Sequence, residues 1–179
     1  MTEAPARGTI TVRRATPADA TGIREVGLAA WRATYPPLLG AAAVERFLEV
    51  AYSTERVRLR IERDDCFVAA MPIGDPSGID AFIESIVEDD HAHIVAFYAR
   101  PEARGRGLGN ALLDAVVALY PGMDISADVL IGNVLAEPFY LARGFEPGGL
   151  MDEDVGGVTT RERRWWLRAP REALPGSQL

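Results

Sequence analysis

The sequence contains no lysine: all 19 of its basic residues are arginine. This excludes a nucleotide P-loop, whose glycine-rich turn ends in Lys followed by Ser or Thr. There is a single cysteine, Cys66, so no intrachain disulfide can form. No apolar run approaches the roughly 18–20 residues that a membrane-spanning helix requires. Met1-Thr2-Glu3-Ala4-Pro5 has neither the basic nor the apolar stretch of a secretory signal. A cytoplasmic protein without membrane association is therefore expected. Internal repeats, low-complexity tracts and domain linkers are absent. The net charge of −7 argues against nucleic acid as a partner and favours a cationic small molecule or peptide.

What is present is ordinary for a globular chain. With 179 residues, 48% of them apolar and 25% charged, one domain can bury a proper core. We place that domain at residues 9–168, between a loose N-terminus (1–8) and a tail (169–179). Thr9–Arg13 alternates and is β-branched, as a strand does. Thr16-Pro17-Ala18-Asp19 is helix-start chemistry, and the helix it opens runs to about Ala33. Pro36-Pro37 and Gly40 break it before two further helices, about Ala41–Val50 and Thr54–Arg63. Cys66–Ile73 and Ile79–Val87 read as an antiparallel pair joined at Asp75-Pro76-Ser77-Gly78. A strand over about Ala92–Ala99 follows the turn Glu88-Asp89-Asp90. A helix then ends at Pro121-Gly122, Ile125–Ile131 is a strand, and a short helix extends from Asn133 to about Arg143. Phe145–Met151 and Thr159–Leu167 are the last strands, joined by an acidic, glycine-rich loop over 152–157. This order is mixed α/β and not a strictly alternating, doubly wound sheet.

The chain is organised around Arg104-Gly105-Arg106-Gly107-Leu108-Gly109-Asn110. An apolar strand empties through this glycine-rich turn into the helix from Ala111. Such a junction binds anions: glycines let the backbone approach a ligand, the first helical N–H groups lack intrahelical partners, and the dipole favours negative charge. Two arginines add cationic reach, so phosphate or pyrophosphate is the expected guest. A dinucleotide fingerprint would need glycine at the sixth position from Gly105, where Asn110 stands. The spacing that fits is Arg104-x-x-Gly107-x-Gly109.

This run resembles the pyrophosphate loop of the GCN5-related N-acetyltransferase (GNAT) superfamily. Three blocks carry the resemblance, which covers about residues 9–168. The first is Ile94–Asn110, with Pro101-Glu102-Ala103-Arg104-Gly105-Arg106-Gly107 close to the family's Pro-Glu-x-Arg-Gly-x-Gly. The second is Asn133-Val134-Leu135-Ala136-Glu137-Pro138-Phe139-Tyr140 followed by Gly144-Phe145. It is similar to the family's Asn-x-x-Ala-x-x-Phe-Tyr and Gly-Phe, with Pro138 as a departure that would shorten or kink the short helix. The third is Ala30–Pro36, similar to the end of the first helix in small bacterial members. The fold implied is a central, mostly antiparallel sheet of about seven strands flanked by helices, with a splayed strand pair holding acetyl-CoA.

The activity implied is transfer of an acetyl group from acetyl-CoA to a primary amine by direct attack in a ternary complex. The absence of lysine excludes self-acetylation on a lysine side chain. By resemblance, backbone groups of Phe97, Tyr98 and Ala99 pair with the pantetheine arm, and an N–H near Ala99 supplies the oxyanion donor. Arg104, Gly105, Arg106, Gly107, Leu108, Gly109 and Asn110 hold the pyrophosphate, and Asn133 touches the cofactor, caps its helix, or does both. Tyr140 is the general acid for the departing thiolate, or else a core tyrosine. An ammonium of pKa about 10.4 needs a base or a route to water. His93 stands where relatives carry a Glu, counted from Pro101, and Asp128 is a second candidate. Glu84 is a third, and a substrate contact, if its strand neighbours the loop strand. For all three a solvated or paired side chain is the plainer alternative. Trp31, Tyr35 and the loop Asp152–Asp154 are expected to wall the acceptor, with core packing the alternative for Trp31. Phe139 and Phe145 read as core, and Cys66 is too far from the motif to carry an acyl group. Consecutive Trp165 and Trp166 must face opposite sides of a strand, one of them at a surface where a homodimer contact would form. The rival class is a non-catalytic acyl-CoA-binding sensor on the same fold. No metal is expected.

Overall fold

The computed structural model describes residues 9–71 and 78–170. The N-terminal segment 1–8, the turn residues Asp75–Ser77, Ile73 and the tail beyond Pro170 lie outside the described residues. Seven strands, β1 (Thr11–Arg14), β2 (Asp65–Ala70), β3 (Ala81–Glu88), β4 (His91–Ala99), β5 (Ile125–Leu130), β6 (Glu146–Val155) and β7 (Val158–Leu167), form one sheet in the order β1-β2-β3-β4-β5-β7-β6. Every neighbouring pair is antiparallel except β4 and β5, which run parallel.

Helices cover both faces. On one face lie α1 (Ala20–Thr34), α2 (Pro36–Leu39), α3 (Ala41–Ala51) and α4 (Thr54–Arg63), packed through Ile23, Val26, Val44, Leu48 and Val57 onto Val68, Phe82 and Ala96. On the other face α5 (Leu108–Leu119) and the short α6 (Ala136–Ala142) bury Leu112, Val116 and Tyr140 against Ile83, Ile94, Ile125 and Trp165. The start of the first helix is set as its residues suggest. A 3-10 turn over Pro17–Asp19 leads into α1, and both the Thr16 N–H and its hydroxyl donate to the Asp19 carboxylate at 2.8 and 3.0 Å.

Three local expectations change. Pro36 and Pro37 do not simply interrupt; they occupy the first turn of α2, where a missing N–H costs nothing. Pro138 likewise falls in the first turn of α6, and the helix runs on to Ala142. Asp152–Asp154 is not a loop. It pairs as β6 with Thr159–Arg161, and only Gly156-Gly157, both with positive φ, turns the chain. The hairpin tip docks on α3, where Arg46 Nε donates to the Gly156 carbonyl at 2.7 Å.

The α1 face is tight at Gly27. A Cβ added there would lie 2.2 Å from Cε1 of Tyr52, a ring that is 2% exposed and covered by the Arg60 guanidinium 5.1 Å from its centroid. Alanine gains about 1 kcal/mol in helix propensity, but overpacking a buried ring costs roughly 1–3 kcal/mol. Gly27→Ala is expected to lower stability by roughly 1–2 kcal/mol, seen as a lower urea midpoint at unchanged slope. An unchanged or higher midpoint would show that Tyr52 moves freely.

Candidate functional site

The site begins with a fault in the sheet. Glu84 pairs with Ala96 and Ser85 with Ile94, so Val95 of β4 has no partner in β3. This bulge reverses the facing of the strand. Ala92 and Ile94 pack on the α5 side, whereas beyond the bulge Ala96 packs on the α1 side and Phe97 and Ala99 on the α5 side. On its other edge β4 pairs with β5 only through Ala92–Ile125, His93–Ser126 and Ile94–Ala127. Past Ile94 that edge turns unpaired backbone groups toward a cavity of about 440 Å³.

The glycine-rich turn closes one end of this cavity. Gly105 and Gly107 have φ of 73° and 94°, a conformation that side chains resist, and Gly107 immediately precedes α5. The first α5 hydrogen bond to the turn runs from the Ala111 N–H to the Gly107 carbonyl at 3.1 Å, which leaves the N–H groups of Leu108, Gly109 and Asn110 for a ligand. Gly109 lies under two rings, and an added Cβ would sit 3.2 Å from Phe139 and 3.6 Å from Phe97. The Arg104 guanidinium donates to Thr34 Oγ1 at 3.0 Å, tying the turn to the end of α1. An unpaired strand edge followed by helix N–H groups and an arginine suits a long amide-bearing ligand that ends in a pyrophosphate.

The opposite wall holds Tyr140, Asn133, Tyr35 and Asp128. Asn133 does two jobs. Its Oδ1 accepts from the N–H groups of Leu135 and Ala136 at 3.1 and 3.2 Å, and its Nδ2 donates to Tyr35 Oη at 3.2 Å. Burial raises the pKa of both Tyr35 and Tyr140, so each phenol keeps its proton at neutral pH. Asp128 accepts two hydrogen bonds from Arg164, at 2.8 and 2.7 Å.

The cavity thus gathers Phe97, Tyr98, Ala99, Arg104, Gly105, Gly107, Leu108, Gly109, Asn110, Asn133, Tyr35, Asp128 and Tyr140. Seven expected residues do not line it: Asp152, Glu153 and Asp154 are exposed on the β6–β7 hairpin, and Arg106, Trp31, Glu84 and His93 are engaged elsewhere. Arg106 turns away toward Met71, its Nη1 3.8 Å from the sulfur. Trp31 is core, stacked on Phe47 with centroids 4.0 Å apart. Glu84 is buried beneath α4, 3.6 Å from Arg60 Nε, where burial and then the neighbouring Asp64 push its carboxyl pKa up. His93 sits behind Asp128. Its Nδ1 is 2.8 Å from Ser126 Oγ and its Nε2 3.7 Å from Asp128 Oδ2, and burial lowers its pKa. Cys66 is buried, and burial raises its thiol pKa, as suits an inert core residue.

One residue escaped the sequence reading. Glu162 of β7 lies opposite Leu130 of β5 and Met151 of β6. It interacts electrostatically with the cavity residues Tyr35 and Asp128. Burial, then Asp128, then Glu153, push its carboxyl up to about 7. The available signal was a lone acid between Arg161 and Arg163 on a strand of period two.

Comparison with known proteins agrees with this geometry. The model of the acetyltransferase (GNAT) family matches residues 28–145. No curated protein matches the sequence. Among solved structures, the PaiA N-acetyltransferase of Thermoplasma acidophilum, in complex with coenzyme A, is similar at 22% identity and a TM-score of 0.70, over 87% of this chain and 98% of that one. A GCN5-related N-acetyltransferase from Rhodopseudomonas palustris is 17% identical with a TM-score of 0.74, over 93% of this chain and 99% of that one. The ribosomal-protein-S18-alanine N-acetyltransferase of Escherichia coli is 17% identical with a TM-score of 0.67, over 96% and 99%. At these identities the likeness is one of fold.

If the turn before α5 holds the pyrophosphate, Gly107→Glu should abolish binding. It places a side chain at φ 94° and a negative charge among the ligand's donors. Titration calorimetry should show coenzyme A affinity falling by at least about 100-fold, or ~2.7 kcal/mol, with the circular dichroism of the fold retained. Unchanged affinity in a folded variant would remove the turn from the binding site.

Proposed function

The chain belongs to the acetyltransferase (GNAT) family, and from that premise we propose that it moves the acetyl group of acetyl-CoA to a cationic primary amine by direct attack. Acetyl-CoA is the donor, and when bound it supplies an acyl group already activated as a thioester. The observation that carries the reading is the single cavity that joins the unpaired edge of β4, the glycine-rich turn and Tyr140.

The division of labour follows from the chain's own residues. The β4 edge over Phe97–Ala99 and the N–H groups of Leu108–Asn110 bind and align the donor. An N–H near Ala99 donates to the carbonyl oxygen as negative charge develops there. Glu162 removes a proton from the incoming ammonium, directly or through water, so that the nitrogen lone pair is free to form the new C–N bond. A carboxyl poised near 7 is matched to this task at neutral pH, whereas Asp128 is engaged by Arg164 and acts as a fixed negative charge that attracts the cation. As the C–S bond breaks, the sulfur leaves with the electron pair and accepts a hydrogen bond from Tyr140. A phenol whose pKa lies above that of a thiol, about 8.5, does not give its proton up readily. The nitrogen's second proton therefore completes the thiol, and Tyr140 stabilises the sulfur while that proton moves. The net acidic character of the chain and the carboxylates Asp128, Glu153 and Glu162 favour a positively charged acceptor. The domain limits at residues 9–168 and a cytoplasmic location are part of the same proposal.

A panel of polyamines, amino acids and peptide N-termini, followed by thiol release, tests the activity. Thiol release with at least one cationic amine is expected. Tight coenzyme A binding with no turnover on any amine would instead favour a non-catalytic acyl-CoA sensor.

Tyr140→Phe should cost roughly 10- to 100-fold in kcat, the worth of one hydrogen bond to a charged sulfur, with coenzyme A affinity unchanged. A kcat within twofold of the parent would exclude Tyr140 from the chemistry.

Glu162 must be ionised to act, so kcat/KM should rise with pH through about 7, the value to which its surroundings push it. In Glu162→Gln that rise should vanish and the rate at pH 7.5 should fall about 100-fold. The loss would not come from unfolding. A carboxyl whose pKa is raised from 4.5 to about 7 loses stability as pH climbs through that window, so the amide should be the more stable protein at pH 8. A pH profile identical in both proteins would exclude Glu162 as the base.

A further inference from the structure

The chain has two histidines in all, and both stand on one strand at one end of the sheet. His91 opens β4 and pairs in register with Glu88, the last residue of β3, across the turn Asp89-Asp90. His93 is two residues further along, so it shares the face of His91. One donor atom from each of Glu88, His91 and His93 lies within 4.8 Å of the others. Both histidines are 8% exposed. The His91 Nε2 is buried without a hydrogen-bond partner and sits 3.8 Å from Glu88 Oε2. The His91 ring packs against Trp166, centroids 4.8 Å apart, and the His93 ring is oriented by Ser126 Oγ.

An unpartnered buried imidazole nitrogen facing a carboxylate is a costly arrangement if nothing is meant to bind between them. We propose that Glu88, His91 and His93 form a binding site for a single divalent transition-metal ion, at the end of the β3–β4 hairpin and apart from the acetyl-CoA cavity. Two imidazoles and one carboxylate select Zn²⁺, Co²⁺ or Ni²⁺ over Mg²⁺ and Ca²⁺, which prefer all-oxygen shells. A tetrahedral Zn²⁺ with bonds near 2.0–2.1 Å separates its ligand atoms by roughly 3.3–3.5 Å. The three donors therefore need to close by no more than about 1.5 Å, which side-chain rotation at a hairpin end provides. Ser126 orients the His93 ring through Nδ1, as an outer partner orients a metal-bound imidazole, and leaves Nε2 outside that bond. That nitrogen is also 3.7 Å from Asp128, which lines the cavity, so an ion here would sit one side chain from the acceptor wall. The inference does not rest on acetyl transfer, because the site is built from hairpin residues outside the cavity lining.

The sequence makes the test clean. With no other histidine and the sole thiol buried, the purified full chain without an affinity tag has no competing imidazole or exposed thiol. The experiment is titration of the chelator-treated protein with CoCl₂ and ZnCl₂, followed by calorimetry and by the visible absorption of Co²⁺. One ion per chain is expected, with a dissociation constant in the micromolar range or below, intense tetrahedral Co²⁺ bands, and a higher thermal midpoint with metal than with MgCl₂. His91→Ala should weaken Co²⁺ binding by at least about 100-fold. Glu88→Gln, at a partly exposed position that leaves the hairpin packing intact, should weaken it by about 10-fold or more and alter the absorption bands. No binding below millimolar Co²⁺ would overturn the proposal. So would binding left unchanged by both substitutions, which would place the ion at surface carboxylates.

Discussion

The structure depends on one constraint: a parallel strand pair within an otherwise antiparallel sheet, held by three register pairs and then released. Because Val95 bulges out of the ladder with β3, the remainder of β4 stays with β3 while β5 turns toward β7. Neither strand satisfies the other's backbone beyond Ile94. A buried edge with unpaired N–H and C=O groups is unfavourable, and such a gap suits a ligand that carries amide groups of its own. The same fault that weakens the sheet creates the binding cleft and aims the strand edge into it. The glycine-rich turn sits at the end of that edge because the strand leads into it, so the turn and the unpaired edge are in line.

Two carboxylates at this end of the sheet are separated by environment: Asp128 lines the cavity and Glu162 lies on the next strand. Asp128 and Glu162 lie on adjacent strands and feel each other's charge. Arg164 is committed to Asp128 with both nitrogens, which keeps that carboxylate occupied. Glu162, half-buried beside it, bears the burial and the repulsion, and its proton affinity rises toward the middle of the physiological range. Register thus puts two acids in two different environments. Lateral neighbours decide the matter here, so the lone acid between Arg161 and Arg163 could be singled out in the sequence but its environment could not.

What could be read from the chain and what could not divide along that line. The Arg104–Asn110 turn and the Asn133–Tyr140 segment were legible because their requirements are local, glycine where φ is positive and asparagine where two N–H groups need an acceptor; the place of Pro138 in a first helical turn was not. The antiparallel pairs and the helices followed from periodicity and turn chemistry. The bulge at Val95 was not legible, since nothing in Ile94-Val95-Ala96 specifies it; the mismatch with β3 does. Glu84 was expected near the acceptor, but its strand position buries it beneath α4, a helix whose placement is a tertiary matter. Trp31 has the spacing of a site residue and the packing of a core one. The acidic run Asp152–Asp154 has poor strand propensity, yet hairpin pairing to Thr159–Arg161 overrides it.

The two sides of the cavity are also joined mechanically, and Asn133 is the joint. One amide caps the segment that leads into α6, and so sets where Tyr140 points. It also donates to Tyr35, at the end of α1. Arg104 reaches Thr34, one residue earlier on the same helix end, from the pyrophosphate side. The C-terminal end of α1 is therefore a shared anchor: the glycine-rich turn hangs on it through Arg104 and the Tyr140 side of the cavity through Asn133. Residues that share partners in this way do not act independently. A ligand that draws Arg104 toward its phosphates would pull on the same helix end that positions Tyr35 and, through Asn133, Tyr140. Four side-chain hydrogen bonds thus join the glycine-rich turn to the wall that carries Tyr35 and Tyr140.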